Sequence, residues 1–412
     1  MGVSVSVDDL FNEAHARPSL YFEAPALMFH VAYRGGDGAW ATLPAIFENL
    51  TQLRISADER HASGRLGLIH VKWERHTEFA TLTAVVPVAD MPEDMPESLT
   101  RVPGERFVQM QLCVIDAADP RAADPPASFD LHEAAASTVG GGDATVWADF
   151  RLRPAGFSRA VLVNRNLNAF RVGRMARRLC EIETYRMMGL FGLPLARSAG
   201  ERLVDFDERL SQIARRNAVA TTAGGESDRA LFDELSQLSA DVVSTLAATR
   251  HRFGATGAYA ELVAERIAQL RETHVVGYQR FGIFVDRRFR PAVRTCASTA
   301  QRLERLAASV AQLGSLLQTR VQLALEDQNA LRLEGMERRA RSQLRIERAV
   351  EGLSVIAIGY YAVSLIKSSI EAADHAGFEV PHYLPLVAIP ATLAIVGLAL
   401  WRVRRALRHD EG

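Results

Sequence analysis

Cysteine is nearly missing from this 412-residue chain: it has three, Cys113, Cys180 and Cys296, odd in number and far apart. That excludes a disulfide framework, and no pair has the spacing of zinc ligands. Buried free thiols in a reducing compartment are the expectation. Net charge is missing too. The 48 basic residues nearly cancel the 49 acidic ones, so overall charge marks neither a nucleic-acid binder nor an acidic solvating chain. The segment Met1 to Leu10 lacks a basic region followed by an apolar run and does not read as a secretory signal. Gly2 with Ser6 fits the permissive myristoylation pattern, taken as chance in this Ala/Arg-rich, bacterial-looking composition. Nucleophile elbow, P-loop and dinucleotide fingerprint are absent. Gly140, Gly141 and Gly142 precede a strand candidate without the required lysine or helix, and read as a turn. The sequence names no catalytic residue, no metal ligand set and no cofactor.

What is present is concentrated at the C-terminal end. Leu353 to Ile366 reads LSVIAIGYYAVSLI, and Val350 to Ile370 with its flanks approaches the roughly 20 residues a bilayer crossing needs. Leu384 to Trp401 reads LPLVAIPATLAIVGLALW without a charged residue. Its Pro385 is harmless in the first turn, whereas Pro390 should kink the helix, which lipid-embedded helices tolerate. The short connection contains Gly377 and Pro381 and predicts a transmembrane helical hairpin. Arg338, Arg339, Arg341, Arg345 and Arg348 precede the first run, and Arg402, Arg404, Arg405 and Arg408 follow the second. Positive residues stay inside. The expectation is therefore a bacterial inner-membrane protein with two spans and both termini cytoplasmic; a buried soluble hairpin is the competing reading.

The N-terminal part predicts an α+β domain on a mostly antiparallel sheet. Leu27 to Tyr33, Gly67 to Pro87, Phe107 to Ile115, Ala144 to Phe150 and Ala160 to Asn164 are short β-branched or aromatic runs bounded by turn residues. One helix, Leu43 to Arg54, is expected among them, and Asp116 to Asp130 is a loop. After Leu167 the period becomes helical: Val172, Met175, Leu179, Ile182 and Tyr185 form one stripe, ended by Gly192 and Pro194. Ala220 to Ser227 reads as a joint, and helices follow through Leu231 to Leu246 and Tyr259 to Leu270. Pro291 suits the first turn of a further helix. Leu303, Leu306, Val310, Leu313 and Leu317 give it a coiled-coil-like seam, too short to prove self-association. The expected organisation is 1–165 α+β domain, 166–290 helical region, 291–350 stalk helix, 351–401 hairpin and 402–412 basic tail.

Three residue sets are candidate sites. On the first span Glu351, Ser354, Tyr361, Ser364 and Ser368 share a face: a permeation face in an oligomer, or a helix contact with hydroxyls bonded back to their own carbonyls. Arg338, Arg341, Arg345 and Arg348 share a face beside the bilayer, where anionic headgroups attract each by about 1 kcal/mol or where they only signal topology. In the soluble part, His70, Lys72, Glu74, His76 and Glu78 alternate with Val71, Trp73, Arg75, Thr77 and Phe79. As one strand, that puts two histidines and two carboxylates on one face, for metal binding or proton transfer, or simply as an exposed sheet face. Asn12, Glu13, His15 and Arg17 form a dense polar cluster that suits a ligand pocket or a surface helix.

Several long strings occur together: NEAHARP (Asn12 to Pro18), KWERHTEF (Lys72 to Phe79), CEIETYRMMGLFGLP (Cys180 to Pro194), RFGATGAYAELV (Arg252 to Val263) and RRARSQLRIERAVEGLSVIAIGYYAVSLI (Arg338 to Ile366). In these the chain resembles, over almost its full length, a bacterial family known as domain of unknown function 3422, whose members are described as membrane-anchored. The resemblance implies a location and an architecture and carries no activity. In shape alone the chain is similar to the CorA magnesium channel family, but that family's Gly-Met-Asn is replaced by Ser-Leu-Ile-Lys-Ser-Ser-Ile here. The expected function is a membrane-anchored, non-enzymatic homo-oligomer whose cytoplasmic domain binds a ligand or partner. A CorA-like cation channel or an anchored enzyme are the alternatives. The expected partners are the lipid bilayer and further copies of the chain, with no nucleic acid.

Overall fold

The computed structural model describes residues 19–35, 38–56, 60–87, 101–219, 226–375, 381 and 383–407. The chain divides into two compact units, Met1–Ser315 and Leu316–Gly412.

The first unit is built on one mixed ten-stranded sheet. Its strands are β1 (Ala26–Arg34), β2 (Thr51–Ile55), β3 (His61–Leu66), β4 (Ile69–Arg75), β5 (Ala80–Val86), β6 (Glu105–Asp116), β7 (Ala135–Val139), β8 (Ala144–Ala148), β9 (Ser158–Asn164) and β10 (Thr273–His274), in the order β10-β7-β8-β9-β6-β1-β5-β4-β3-β2. Every neighbouring pair is antiparallel except β6 and β9. A parallel pair needs a crossover, and the chain between β6 and β9 supplies it with the β7–β8 hairpin.

The middle of the sheet is buried on both faces, whereas the edge strands β2 and β10 are exposed. On β1, Ala26, Met28 and Ala32 enter one core while Leu27, Phe29, Val31 and Tyr33 enter the other. Alternation within a run of apolar residues thus feeds two cores at once, and each large side chain withdrawn from water contributes about 1.5–3 kcal/mol. The first core is covered by α1 (Ala169–Leu190), whose stripe Val172, Met175, Leu179 and Ile182 is almost fully buried. Asn168 caps α1 by accepting the Arg171 N–H at 3.0 Å. The second core is closed by Ile46, Phe47, Phe129 and Leu131 from the connecting segments. Helices α2 (Gly192–Val219), α3 (Glu226–Leu270) and α4 (Phe281–His375) follow, and Gly192 with Pro194 marks the break after α1 as expected.

Three expectations are corrected. The helix from Leu43 to Arg54 is absent: a single 3-10 turn, Ala45–Asn49, suffices to bury Ile46 and Phe47, and the chain then extends into edge strand β2. Tyr259 to Leu270 is the end of the 45-residue α3, not a separate helix. Pro291 lies inside α4, which starts ten residues earlier; burial of Phe281, Phe284, Val285 and Phe289 outweighs the roughly 3 kcal/mol an internal proline costs. The seam residues Leu303, Leu306, Val310 and Leu313 are buried within the first unit, where Gly314 lies beside Leu235 of α3. The expected joint at Ala220 to Ser227 falls largely outside the described residues. Cys113, Cys180 and Cys296 are free and buried.

The second unit consists of the C-terminal part of α4 and α5 (Leu384–Leu407). Among the described residues one helix, Phe281–Asp374, is long and apolar enough to cross a membrane; its most apolar 18-residue window has a mean hydropathy of 1.7. The second apolar stretch, Leu386–Ala399, is shorter.

Candidate functional site

Burying a charged group is expensive unless it is paired, so the charges enclosed between the sheet and α1 stand out. Strand alternation points Lys72 and Glu74 of β4 toward α1, opposite Thr83 and Thr81 of β5. The Lys72 ammonium lies 2.9 Å from Glu74 Oε1, with the two side chains 7% and 13% exposed. His30 of β1 stands opposite Thr83; its Nδ1 is 2.8 Å from the Thr83 hydroxyl and its Nε2 is 2.9 Å from the Thr184 hydroxyl on α1. From α1, Arg177 and Glu181 complete the ring, the Arg177 Nε donating to Glu181 at 2.7 Å. Arg266 of α3 pairs with the same carboxylate.

All of these groups but Arg266 line a cavity of about 40 Å³, enough for a few waters or a very small polar group. Burial lowers the His30 pKa to about 4, against Glu74 which would raise it, so the imidazole is neutral at physiological pH. Burial also opposes ionisation of Glu74, but Lys72 and Arg177 outweigh it and hold the carboxyl at about 2. Burial lowers the Lys72 pKa, and Glu74 opposes that. The result is a charge-paired chamber that can orient a polar ligand or a water by hydrogen bonds.

An outer cleft of about 460 Å³ adjoins it, sharing His76, Phe79 and Tyr185 and adding Arg60, Arg75, Tyr259 and Arg266. His76 stacks on Phe79 with ring centroids 4.4 Å apart, and Tyr185 stacks on Tyr259 at 5.9 Å. Burial, with Glu181, pushes the Tyr185 phenol up to about 12. Two flat aromatic walls and several guanidinium groups suit a small, flat or negatively charged ligand.

The expected single strand through Phe79 is corrected here. β4 ends at Arg75, and His76 to Phe79 is the hairpin turn, closed by the His76 N–H donating to the Phe79 carbonyl at 2.8 Å. His76 consequently turns toward the clefts, while Glu78 leaves the face altogether. It accepts from Arg252 with both oxygens and from the Tyr259 hydroxyl at 2.9 Å, clamping the turn to α3. His70 stays on the Lys72 face but does not line the cavity. Nor is the Lys72–Glu74 face an exposed one, because α1 covers it. No group of three metal-ligating side chains occurs among the described residues. His30, Arg177, Glu181 and Tyr185 were not expected at the site. Their signals were a lone histidine inside the apolar LMFHVAY strand and the four-residue steps from 177 to 181 to Tyr185, the last residue of the apolar stripe of α1.

Over residues 8–407 the sequence matches the family described as Protein of unknown function (DUF3422). The chain belongs to DUF3422. None of the curated proteins matches it.

In this DUF3422 chain the remaining candidates fall as follows. Asn12, Glu13, His15 and Arg17 lie outside the described residues. Glu351, Ser354, Tyr361, Ser364 and Ser368 are all exposed on α4. Ser354 Oγ donates to the Val350 carbonyl at 2.9 Å, the back-bonded form. The more enclosed face of the same stretch is a different one, made of Gly352, Val355, Gly359, Ala362, Val363 and Ile366. A Cβ added to Gly359 would meet Leu393 of α5 at 3.5 Å, and Ala388, Ile389, Thr392 and Val396 are the more enclosed residues of α5. Arg338, Arg341, Arg345 and Arg348 are exposed, with Arg338 paired to Glu334 and Arg341 to Glu337 one turn earlier.

Proposed function

We propose that this is a membrane-anchored binding protein of the bacterial inner membrane, its cytoplasmic sheet unit taking up a small polar ligand in the two-part cleft. The observation that carries the anchoring is the apolar window of α4: at a mean hydropathy of 1.7 it is only 6% buried, and so long an apolar surface is unfavourable in water. The position of Leu393, where it would meet a Cβ added to Gly359, supports α5 as the second arm of a hairpin, its Pro390 tolerated in lipid. The arginines before the first arm and after the second support both termini facing the cytoplasm. The exposed hydroxyl face of α4 supports association with further copies, since polar groups in lipid seek protein partners. The binding part rests on His30, Lys72, Glu74 and Arg177 converging on a cavity under aromatic walls.

Membranes from cells expressing the full chain test the anchoring. The protein should stay in the pellet through an alkaline carbonate wash and leave only with detergent. Release by carbonate, or recovery in the soluble fraction, overturns it.

A divalent-cation channel is the second reading, favoured by the exposure of Glu351, Ser354 and Tyr361 together on one face. Liposomes holding the protein and a magnesium-sensitive dye decide it: flux above that of empty liposomes supports a channel, and none removes it.

A further inference from the structure

A third cleft, sharing no lining residue with the first two, lies at the start of α1. It measures about 350 Å³ and is lined by Gly140, Arg171, Arg174, Arg178, Gln269 and Arg271, with Leu167 and Met175 at its base. Positions 171, 174 and 178 fall on one face of α1 by the three- and four-residue helical steps. Arg271 arrives from the end of α3, where its N–H donates to the Ala268 carbonyl at 3.1 Å.

Three of the arginines donate to neutral groups. Arg171 and Arg271 both donate through Nη2 to the Gly140 carbonyl, at 3.1 and 3.0 Å. Gly140, Gly141 and Gly142 all have positive φ, and the tight turn they form lets Arg271 lie over Gly141; a Cβ there would meet its Nη2 at 3.5 Å. Arg178 donates from Nε to the Gln269 side-chain oxygen at 3.2 Å.

Charge in the cleft is unbalanced. Of the four guanidinium groups, Arg171 has Asp143 as an ion-pair partner. The nearby carboxylates Glu181 and Glu265 are both engaged by Arg266. Like charges at this spacing repel, and burial together with Arg174, Arg266 and Arg271 lowers the Arg178 pKa. A protein keeps such a concentration of guanidinium groups around a concave surface at a cost in stability, which an anion offsets. Arginine forks match the oxygens of phosphate, two parallel bonds at a time.

We propose that Arg171, Arg174, Arg178 and Arg271 form a binding site for a phosphate-bearing anion, distinct from the chamber around Lys72 and Glu74. A soluble phosphorylated molecule and an anionic lipid headgroup share this chemistry, and the experiment separates them.

Full-length protein is placed in nanodiscs of phosphatidylcholine and titrated with pyrophosphate at constant ionic strength. At about a hundredfold excess over Kd the melting temperature rises by roughly 5 °C. The Arg174→Ala/Arg271→Ala double variant loses at least about tenfold in affinity, as loss of two charge-assisted contacts implies. Both side chains are exposed, so the unliganded melting temperature and circular dichroism should stay near wild type. The single Arg174→Glu variant reports independently if they do not. The second arm adds phosphatidylglycerol to the nanodiscs. A rise with that lipid alone, lost in the variants, assigns the site to headgroups; a rise with pyrophosphate alone assigns it to soluble phosphates. Equal responses of wild type and variants, or no response to either probe, overturn the proposal.

Discussion

Lys72 Nζ and Glu74 Oε1 meet at 2.9 Å on one face of β4, closed off from solvent by α1. Breaking such a pair from one side leaves an uncompensated buried charge, at a cost of about 3–5 kcal/mol. Lys72→Met should therefore destabilise the sheet unit by that order. Lys72→Met/Glu74→Leu should recover much of the loss, because apolar replacement of both partners removes both desolvation penalties. Urea denaturation followed by tryptophan fluorescence measures both. A single variant as stable as wild type would mean the pair is already solvated.

Acid should act in two steps. His30 binds its proton at about 4 when folded, against 6.5 for a free histidine. Between those values the unfolded chain holds more protons, so stability rises with pH there and falls on acidification, over a span worth roughly 3 kcal/mol. Glu74 acts lower, between its ordinary 4.5 and about 2: its contribution is complete above the first value and is lost as pH falls toward the second. The urea midpoint should drop from pH 7.5 to pH 5, and His30→Asn should flatten that drop. An unchanged slope in the variant would show that other groups carry it.

Gly173 of α1 has no room for a side chain. An added Cβ would collide with the Leu20 carbonyl oxygen, and Leu20 lines the inner cavity. Gly173→Ala should cost about 1–3 kcal/mol, the usual range for overpacking, and should loosen the cavity wall. Hydrogen exchange should show faster opening around residues 19–22, with the β7–β8 hairpin unaffected. A stable variant with unchanged exchange would contradict the close packing.

The strands with strong β-branched or aromatic alternation, such as β1, β6 and β9, were legible in the sequence, and so was the stripe of α1. β7 was not: AASTV is small and weakly patterned, and what makes it a strand is its pairing with β8. β2 was hidden because Leu50, Leu53 and Arg54 also suit a helix; pairing with β3 decides it. On β4, alternation put Lys72 and Glu74 on one face, as the strand has them, but period two assumed no turn. The hairpin at His76 to Phe79 redirects His76 and carries Glu78 to Arg252, 174 residues away in sequence. Arg177 and Glu181 join the site only through the packing of α1 across the sheet, and His30 only through the pairing of β1 with β5, long-range contacts that no local pattern encodes.

The anchoring is tested most directly by accessibility in intact bacteria. The native cysteines are buried, so a membrane-impermeant maleimide reports on introduced ones. In the full-length chain, Asp374→Cys, between the two apolar stretches, should be labelled before lysis, whereas Glu326→Cys, ahead of the first stretch, should be labelled only after lysis. Labelling of both only after lysis, or of both before it, would contradict a hairpin that crosses the inner membrane.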